Sequence, residues 1–379
     1  MNKQERVRNS LFRKAVDKFP VFMSATPQFM KAALGARGNT VTPANSWRYC
    51  VDLDLDVVQV GHPSFYPVRV LELTPGARYT DAWGRSHVIT SFYDEFCAPF
   101  PLRPAGRLDI GAVKKRWESY VFPDLCDPAW LAGIDEIARC NEKLDDPLSI
   151  WGVINGPFEP SWQLVSDAWT EFFILARRDL DLAKDILRRV TDYCIAAGKA
   201  MIEHGANAIR IGDDYALNEG LMCAPKVWHD LIYPVHMRLV KGLKQAGGDG
   251  FAVILHSDGN ITEILSWLAD GGIDAINPIQ PDALDFETVV ETIGHRLAVT
   301  GAFDLRYFLE PWSATVQAGL EKETRRLFGI IDAFNCNGTR TGFCIGPTHQ
   351  VQPGSYVSTF EAWVRIVHER NKKKIGKHS

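Results

Sequence analysis

One short stretch of the chain combines metal-binding side chains at a chemically useful spacing. The apolar run "FAVIL" (251–255) ends at "HSDG" (256–259). In extended backbone, side chains two residues apart point the same way, so His256 and Asp258 can face one ligand. Imidazole nitrogens and carboxylate oxygens are both zinc donors. The alternative is that Asp258 caps the helix predicted to begin near Ile261.

Polar residues also follow the other predicted strands, at positions where lysine and arginine are nearly missing. They are His62, Asn155, Asp213, Asp214, Tyr215, Asn277, Gln280, Asp304 and His349. In a parallel barrel these positions lie at the carboxyl face, where active sites collect. The pattern therefore predicts a functional barrel mouth. Within it, His349 is the natural third metal donor, although a loop histidine bonded to backbone is the simpler alternative.

The other polar residues suggest acid–base and binding roles. Adjacent carboxylates at Asp213 and Asp214 would repel each other, raise one pKa and allow acid–base chemistry, although one of them could instead cap a helix. Glu219 is a third catalytic candidate, with a solvated surface role as its alternative. Substrate contacts are predicted for the remaining residues, which are His62, Asn155, Tyr215, Asn277, Gln280 and Asp304.

The elements that position these residues alternate between apolar runs and amphipathic stretches. Strands are predicted at 19–24, 56–61, 149–154, 207–212, 251–255, 274–279, 296–301 and 341–346. Long helical patterns include 179–205 and 225–247. Eight such units predict an α/β protein with a (β/α)₈ TIM barrel, and a doubly wound open sheet is the alternative. We expect one domain over 1–379, with an insertion at about 66–147 that begins as a β-hairpin over 66–96.

Composition limits the classes of function. The 379 residues are 46% hydrophobic and carry a net charge of −4, so no electrostatic signature of nucleic-acid binding is present. The apolar runs are too short to span a membrane, and the polar start predicts no signal peptide. A cytoplasmic protein with eight reduced cysteines is expected. The sequence contains no glycine-rich phosphate loop and no serine nucleophile elbow.

Several longer runs resemble the uroporphyrinogen decarboxylase superfamily over nearly the whole chain. They are "GDDYALNEGLMCAPKVWHDLIYPVHMRLV" (212–240), "HSDGNITEILSWLADGGIDAINPIQP" (256–281), "RLAVTGAFD" (296–304) and "TGFCIGPTHQVQPGSYVSTFEAW" (341–363). The resemblance implies a (β/α)₈ barrel with its site at the carboxyl face. It also implies one of two activities. These are cofactor-free decarboxylation of tetrapyrrole acetate arms, and methyl transfer involving corrinoid proteins or thiols, usually with zinc.

Departures from the family patterns indicate which of these two activities to expect. The decarboxylases carry an arginine-rich segment after the first strand, whereas "PVFMSATPQFMKAALG" (20–35) contains no arginine. Porphyrinogen decarboxylation is therefore not expected. The zinc methyltransferases carry His-x-Cys and a later cysteine, where this chain has His256, Asp258 and His349. Replacing thiolates by carboxylate and imidazole makes a harder site, which suits an ether oxygen better than a thiol.

The resulting hypothesis is a corrinoid-dependent methyltransferase that removes a methyl group from a small methyl ether, with aromatic ethers as one class. His256, Asp258 and His349 would hold Zn²⁺, and Asp213 or Asp214 would supply a proton. The expected partners are a corrinoid protein, a small methyl donor and, as one option, a second copy in a homodimer. Two alternatives remain, which are a metal-free decarboxylase of a smaller substrate and a non-catalytic binding barrel.

Overall fold

The computed structural model describes residues 1–65, 74–90, 94–103, 106–125, 127–335 and 340–372. The strands in these ranges are β1 (Val57–Gly61), β2 (Arg78–Thr80), β3 (Ser86–Ile89), β4 (Asp94–Cys97), β5 (Ser149–Asn155), β6 (Ala208–Gly212), β7 (Ala216–Leu217), β8 (Gly220–Leu221), β9 (Ala252–His256), β10 (Ala275–Asn277), β11 (Ala298–Thr300) and β12 (Phe343–Cys344).

The α-helices in the same ranges are α1 (Lys3–Leu11), α2 (Pro27–Gly35), α3 (Pro43–Asp52), α4 (Ile110–Glu118), α5 (Ala132–Asn141), α6 (Phe158–Gln163), α7 (Trp169–Arg178), α8 (Leu180–Glu203), α9 (Pro225–Val227), α10 (Tyr233–Gly247), α11 (Leu265–Asp270), α12 (Phe286–Ile293), α13 (Ala314–Phe334) and α14 (Val357–Lys372). A π-helical turn, Trp228–Ile232, joins α9 to α10. It precedes Pro234, which cannot donate a backbone hydrogen bond. None of the helices in the described ranges is both long and apolar enough to cross a membrane.

Seven strands form one parallel sheet in the order β1-β5-β6-β9-β10-β11-β12. Their order in the sheet follows their order in the chain, and helices connect them, as in the repeated strand–helix units of a barrel. Seven of the eight predicted strands coincide with these elements. The α/β barrel class predicted from the alternating pattern is confirmed.

The eighth predicted strand, at 19–24, lies between the two edge strands of this sheet. Val21 pairs in parallel with Ile345, just after β12. On the other side, the backbone N–H of Asp56 donates to the carbonyl of Val21 at 2.8 Å. The segment is not a regular strand, because the N–H of Val21 bonds to the side chain of Asp56 instead of to a neighbouring backbone. It nevertheless joins β12 to β1 and closes the barrel.

The barrel interior has an apolar floor and a polar upper layer. One buried cluster forms the floor and contains Val7, Leu11, Phe22, Val57, Trp151, Ala208, Ala252, Ile254, Ala275, Ala298 and Cys344. Phe22 and Trp151, with ring centroids 5.2 Å apart, fill the space that the small alanines leave. Side chains two residues further along a strand face the same way, so Gln59, Arg210 and Asn277 stand above this floor. The polar layer therefore lies toward the carboxyl ends of the strands.

The predicted insertion contains an antiparallel sheet of β2, β3 and β4. Residues 66–73 and 91–93 of the predicted hairpin lie outside the described residues. Buried Arg85 ties the insertion to the barrel, because it bonds to Asp81 at 2.6 Å and to Gln163 of α6 at 2.5 Å. Since α6 follows β5, the insertion sits on the carboxyl side of the barrel. That residues 1–379 form a single domain stays a prediction.

Candidate metal centre

Three side chains with metal-binding atoms converge at the carboxyl end of the barrel. His256 ends β9, Asp258 follows two residues later, and His349 lies in the loop between β12 and α14. Nε2 of His256 is 3.9 Å from Oδ1 of Asp258, and Nε2 of His349 is 3.6 Å from Oδ2 of the same carboxylate. One donor atom from each residue lies within 4.8 Å of the other two. The structure thus brings together the three residues proposed as metal ligands.

The spacing of the three donors suits a zinc ion. A tetrahedral Zn²⁺ with bonds of about 2.1 Å holds its ligand atoms about 3.4 Å apart. The separations of 3.9 and 3.6 Å end on different oxygens of Asp258, and the donor atoms taken one per residue lie within 4.8 Å of one another, so a bound ion would draw them together by at most about 1.4 Å. Three protein ligands leave a fourth position open, as in catalytic zinc sites. The side chains of Asp258 and His349 are 33% and 31% exposed, so a small molecule can reach the donors from the barrel mouth.

The ring of His256 is held by two neighbours at its other nitrogen. Nδ1 lies 2.6 Å from Oδ1 of Asn277 and 2.6 Å from Nη2 of Arg210. Asn277 also donates from Nδ2 to the backbone carbonyl of Thr300 at 2.9 Å, which fixes the orientation of its amide. An outer hydrogen bond of this kind orients a ligating imidazole. Asn277, predicted to contact substrate, contacts a metal-ligand candidate.

Both histidines are neutral at neutral pH. Burial and the positive charge of Arg210 lower the pKa of His256 well below its usual value. The same two causes lower the pKa of His349 to about 4. A neutral imidazole is the form that binds metals, so proton competition at these two residues is weak near pH 7.

Three half-buried carboxyl groups at and beside the donors have raised pKa values. Burial and the charge of Asp258 raise the pKa of Asp214 to about 6. Burial raises the pKa of Asp258 itself to about 6, against the opposing effect of Arg210. Burial, together with the charges of Asp214 and Asp213, raises the pKa of Glu159 well above its usual range. Negative groups confined in this way attract protons or a cation, which adds to the case for a metal.

Arg210 and Glu159 belong to this site but were not among the predicted residues. Arg210 lies in the middle of β6, and its Nη1 donates to Oε1 of Gln59 at 2.9 Å. A charged residue inside the apolar run "NAIRIG" (207–212) was the available signal, because charged side chains are rarely fully buried without partners. Glu159 carried no comparable signal, since acidic residues are common in the first turn of a helix.

Asp213, for which an acid–base role was predicted, lies in a buried hydrogen-bond network. Its carboxylate is fully buried and accepts hydrogen bonds from the backbone N–H groups of Phe158 at 3.1 Å and Glu159 at 2.8 Å. The hydroxyl of Tyr215 donates to it at 2.9 Å. These bonds fix the loop between β5 and α6. Tyr215, predicted to bind substrate, is itself buried in this structural network.

Asp214 faces the metal-ligand candidates instead. Its Oδ1 accepts the backbone N–H of Asp258 at 2.8 Å, and the residue is only half-buried. The two adjacent aspartates therefore have different roles. One holds the β5–α6 loop, and the other is the carboxylate that lies beside the open part of the site.

Three other predicted residues have structural or surface positions. Glu219 is exposed in the turn between β7 and β8. Gln280 connects two loops, because it accepts from the N–H of Gly259 at 3.1 Å and donates to Asn218 at 3.1 Å. Asp304 caps the 3₁₀ turn Leu305–Leu309. The contacts of Gln280 and Asp304 satisfy these two side chains without a ligand.

The two remaining predicted residues lie at the ends of β1 and β5. His62 is buried against the edge of Trp130, with ring centroids 5.5 Å apart, and its Nδ1 is 2.7 Å from Oγ of Ser64. Burial lowers its pKa to about 4. Asn155, the last residue of β5, is half-buried opposite Gly212. Only Asn155 of this pair has the accessibility that a substrate contact requires.

Comparisons with known proteins agree with this architecture. The methylcobamide:CoM methyltransferase MtbA of Methanosarcina mazei is 28% identical over 163 residues, which cover 42% of this chain and 44% of that protein. MtbA of Methanosarcina acetivorans is 25% identical over 170 residues, covering 44% and 46%. The matched region is thus less than half the length of these relatives.

Solved structures show the same fold at low identity. A methyltransferase from Methanosarcina mazei superposes with a TM-score of 0.71 at 20% identity, covering 98% of this chain and 99% of the other. A B12-independent methionine synthase from a Shewanella species gives a TM-score of 0.52 at 12% identity, covering 94% and 96%. The model of the uroporphyrinogen decarboxylase (URO-D) family matches residues 123–370, which is more than half of the chain. The chain therefore belongs to the uroporphyrinogen decarboxylase family.

Proposed function

We propose that this chain is a corrinoid-dependent methyltransferase that takes a methyl group from a small methyl ether. The observation that carries the proposal is the convergence of His256, Asp258 and His349 at the barrel mouth. The names of the MtbA relatives, which are methylcobamide:CoM methyltransferases, support a corrinoid as the second reactant. A His-Asp-His set is harder than a set with thiolates, and it favours a methyl donor with an oxygen atom.

The residues have distinct roles in this proposal. His256, Asp258 and His349 would hold Zn²⁺, which supplies Lewis acidity at the ether oxygen when bound. Asn277 orients the ring of His256 through its contact with Nδ1. Asp214, half-buried beside Asp258, would protonate the departing oxygen. The carbon–oxygen bond breaks with its electron pair left on oxygen, and the methyl group passes to a reduced corrinoid on a partner protein.

The proposed partners are a corrinoid protein and a small methyl donor, with aromatic ethers as one class. The corrinoid protein must approach the open end of the barrel, since the metal-ligand candidates are reached from that side. A homodimer and a cytoplasmic location stay predictions.

The first test is metal content. Purified wild-type protein should contain close to one zinc per chain, and His256→Ala and Asp258→Ala should lose it. His295→Ala is the matched control, because His295 is exposed and is not one of the three donors. Elemental analysis after dialysis against a weak chelator measures the result. Equal zinc content in all of these proteins would contradict the metal centre.

The second test is the reaction itself. Wild-type protein should methylate free cob(I)alamin from a methoxybenzene or another small methyl ether, followed by the absorbance of methylcobalamin. Asp214→Asn should slow this reaction while keeping zinc. If carbon dioxide is released from an acidic substrate and cobalt is never methylated, the chain is a decarboxylase. If neither reaction occurs with any donor, the result favours the non-catalytic binding barrel over both enzymes.

A further inference from the structure

Nδ1 of His256 has two neighbours that require opposite protonation of the same atom. Nη2 of Arg210 is 2.6 Å away, and a guanidinium can only donate hydrogen bonds. Oδ1 of Asn277 is also 2.6 Å away and can only accept. The amide of Asn277 cannot reverse to relieve the conflict, because its Nδ2 donates to Thr300. Both contacts cannot be hydrogen bonds at once.

A neutral imidazole resolves this conflict in one of two ways. If Nδ1 has a lone pair, it accepts from Arg210 and the proton is on Nε2, which points toward Asp258 at 3.9 Å. If Nδ1 has the proton, it donates to Asn277 and Nε2 has the lone pair. Only the second tautomer can bind a metal through Nε2. A doubly protonated ring is excluded by the guanidinium 2.6 Å from Nδ1.

Arg210 is held in position from its other side. Its Nη1 donates to Oε1 of Gln59 at 2.9 Å, and Gln59 in turn donates to the carbonyl of Met23 at 3.1 Å. The guanidinium therefore stays beside the ring of His256. Its bond to Nδ1 is charge-assisted, and such bonds are stronger than the neutral bond that Asn277 can form. In the metal-free protein, the Arg210 arrangement should be the more stable one.

We propose that Arg210 and Asn277 compete for Nδ1 of His256 and that this competition controls metal loading. Arg210 is a positioning residue that stabilises the metal-free tautomer, and Asn277 stabilises the metal-binding one. On loading, the proton leaves Nε2 for solvent, a solvent proton binds Nδ1, and no net proton is released by the ring. This inference rests on the proposed metal centre for its function, but the tautomer can be measured without any metal.

The first experiment identifies the tautomer in the metal-free protein. Nitrogen-15 spectra of histidine-labelled protein distinguish a protonated Nε2 from a protonated Nδ1, and His256→Gln assigns the signals. We expect Nε2–H in the wild type and Nδ1–H in Arg210→Met. Nδ1–H in the metal-free wild type, or an unchanged tautomer in Arg210→Met, would overturn the proposal even if the protein binds no zinc.

The second experiment measures zinc affinity by competition with a chelator. Arg210→Met should bind zinc about tenfold more tightly, and Asn277→Ala about tenfold to a hundredfold more weakly. Asn277→Asp keeps an acceptor at this position and should recover most of the affinity. These opposite shifts are not expected if both residues merely stabilise the fold.

Arg210→Lys distinguishes the effect of the hydrogen bond on zinc affinity from the effect of the positive charge. Lysine keeps the positive charge, but its ammonium ends one bond short of the position of Nη2. The proposal therefore predicts tighter zinc binding in Arg210→Lys as well. Tighter zinc binding in Arg210→Met alone would mean that the charge of Arg210 weakens zinc binding by long-range repulsion. This result would overturn the proposed competition for Nδ1 of His256. Absence of zinc from every variant would instead contradict the metal centre, while the tautomer result still decides the competition.

Discussion

Replacing Asp213 by alanine tests whether this residue is structural, as its contacts indicate, or catalytic. Its removal leaves the buried N–H of Phe158 and the partly buried N–H of Glu159 without their acceptor. Each buried donor left unsatisfied costs about 1–3 kcal/mol, so Asp213→Ala should lower the free energy of unfolding by about 2–6 kcal/mol. The hydroxyl of Tyr215 adds little, because Nδ1 of His236 is a second partner at 3.1 Å.

Asparagine gives a graded version of the same test. An amide oxygen at the position of Oδ2 keeps the bonds from Phe158 and Tyr215, while its NH₂ group faces the N–H of Glu159. One donor is lost instead of two, so Asp213→Asn should cost about 1–3 kcal/mol. Zinc content should be unchanged in both variants, because Asp213 is not one of the three donors.

Urea denaturation followed by tryptophan fluorescence measures these differences. The comparison belongs at about pH 5, since burial raises the pKa of Asp213 to about 7 and, at higher pH, the cost of the buried charge in the wild type would offset the expected loss. Glu219→Ala is the matched control, and its exposed carboxylate should change stability by no more than about 0.5 kcal/mol. If Asp213→Ala is as stable as wild type and keeps zinc but loses methyl transfer, the structural role is refuted.

Three further predictions concern the fold, and urea denaturation measures each of them. A Cβ at Gly329 in α13 would meet no atom within 4 Å, so Gly329→Ala should stabilise the protein by about 0.5–1 kcal/mol. Arg6 pairs with the fully buried Asp56 at 2.6 Å, so Arg6→Met should cost about 3–5 kcal/mol. Burial lowers the pKa of His236 from 6.5 to about 4. Between pH 6.5 and pH 4, a proton therefore binds this side chain only in the unfolded chain. Stability therefore falls as pH falls from 6.5 to 4, and His236→Gln should reduce this slope by up to about 1.4 kcal/mol per pH unit.

Each of these predictions has a control with the opposite or no effect. A Cβ at Gly76 also meets open space, but its φ of +87° makes Gly76→Ala destabilising. Arg188→Met removes a guanidinium that pairs on the surface and should change stability by less than about 1 kcal/mol. His295→Gln should leave the pH slope as it is, since this side chain is exposed. Equal effects in a test variant and its control would contradict the corresponding argument.

Local sequence patterns were sufficient to predict the barrel and the three candidate donors. Apolar runs such as "SIWGVIN" (149–155) are nearly continuous because a central parallel strand is buried on both faces. His256 and Asp258 share a side because they are two residues apart in extended chain. His349 could be placed near them because loops that follow parallel barrel strands open at the same end.

The roles of the surrounding residues required the tertiary structure. Asp213 and Asp214 are adjacent and chemically identical, and only the packing of β6 between β5 and β9 decides which of them meets the β5–α6 loop. Arg210 contacts His256, 46 residues away, and Gln59, 151 residues away. Periodicity shows which side of a strand is buried, but not which distant side chain lies there. The hydrogen-bond partners, the pKa shifts and the competition at Nδ1 of His256 all depend on which distant side chains are in contact.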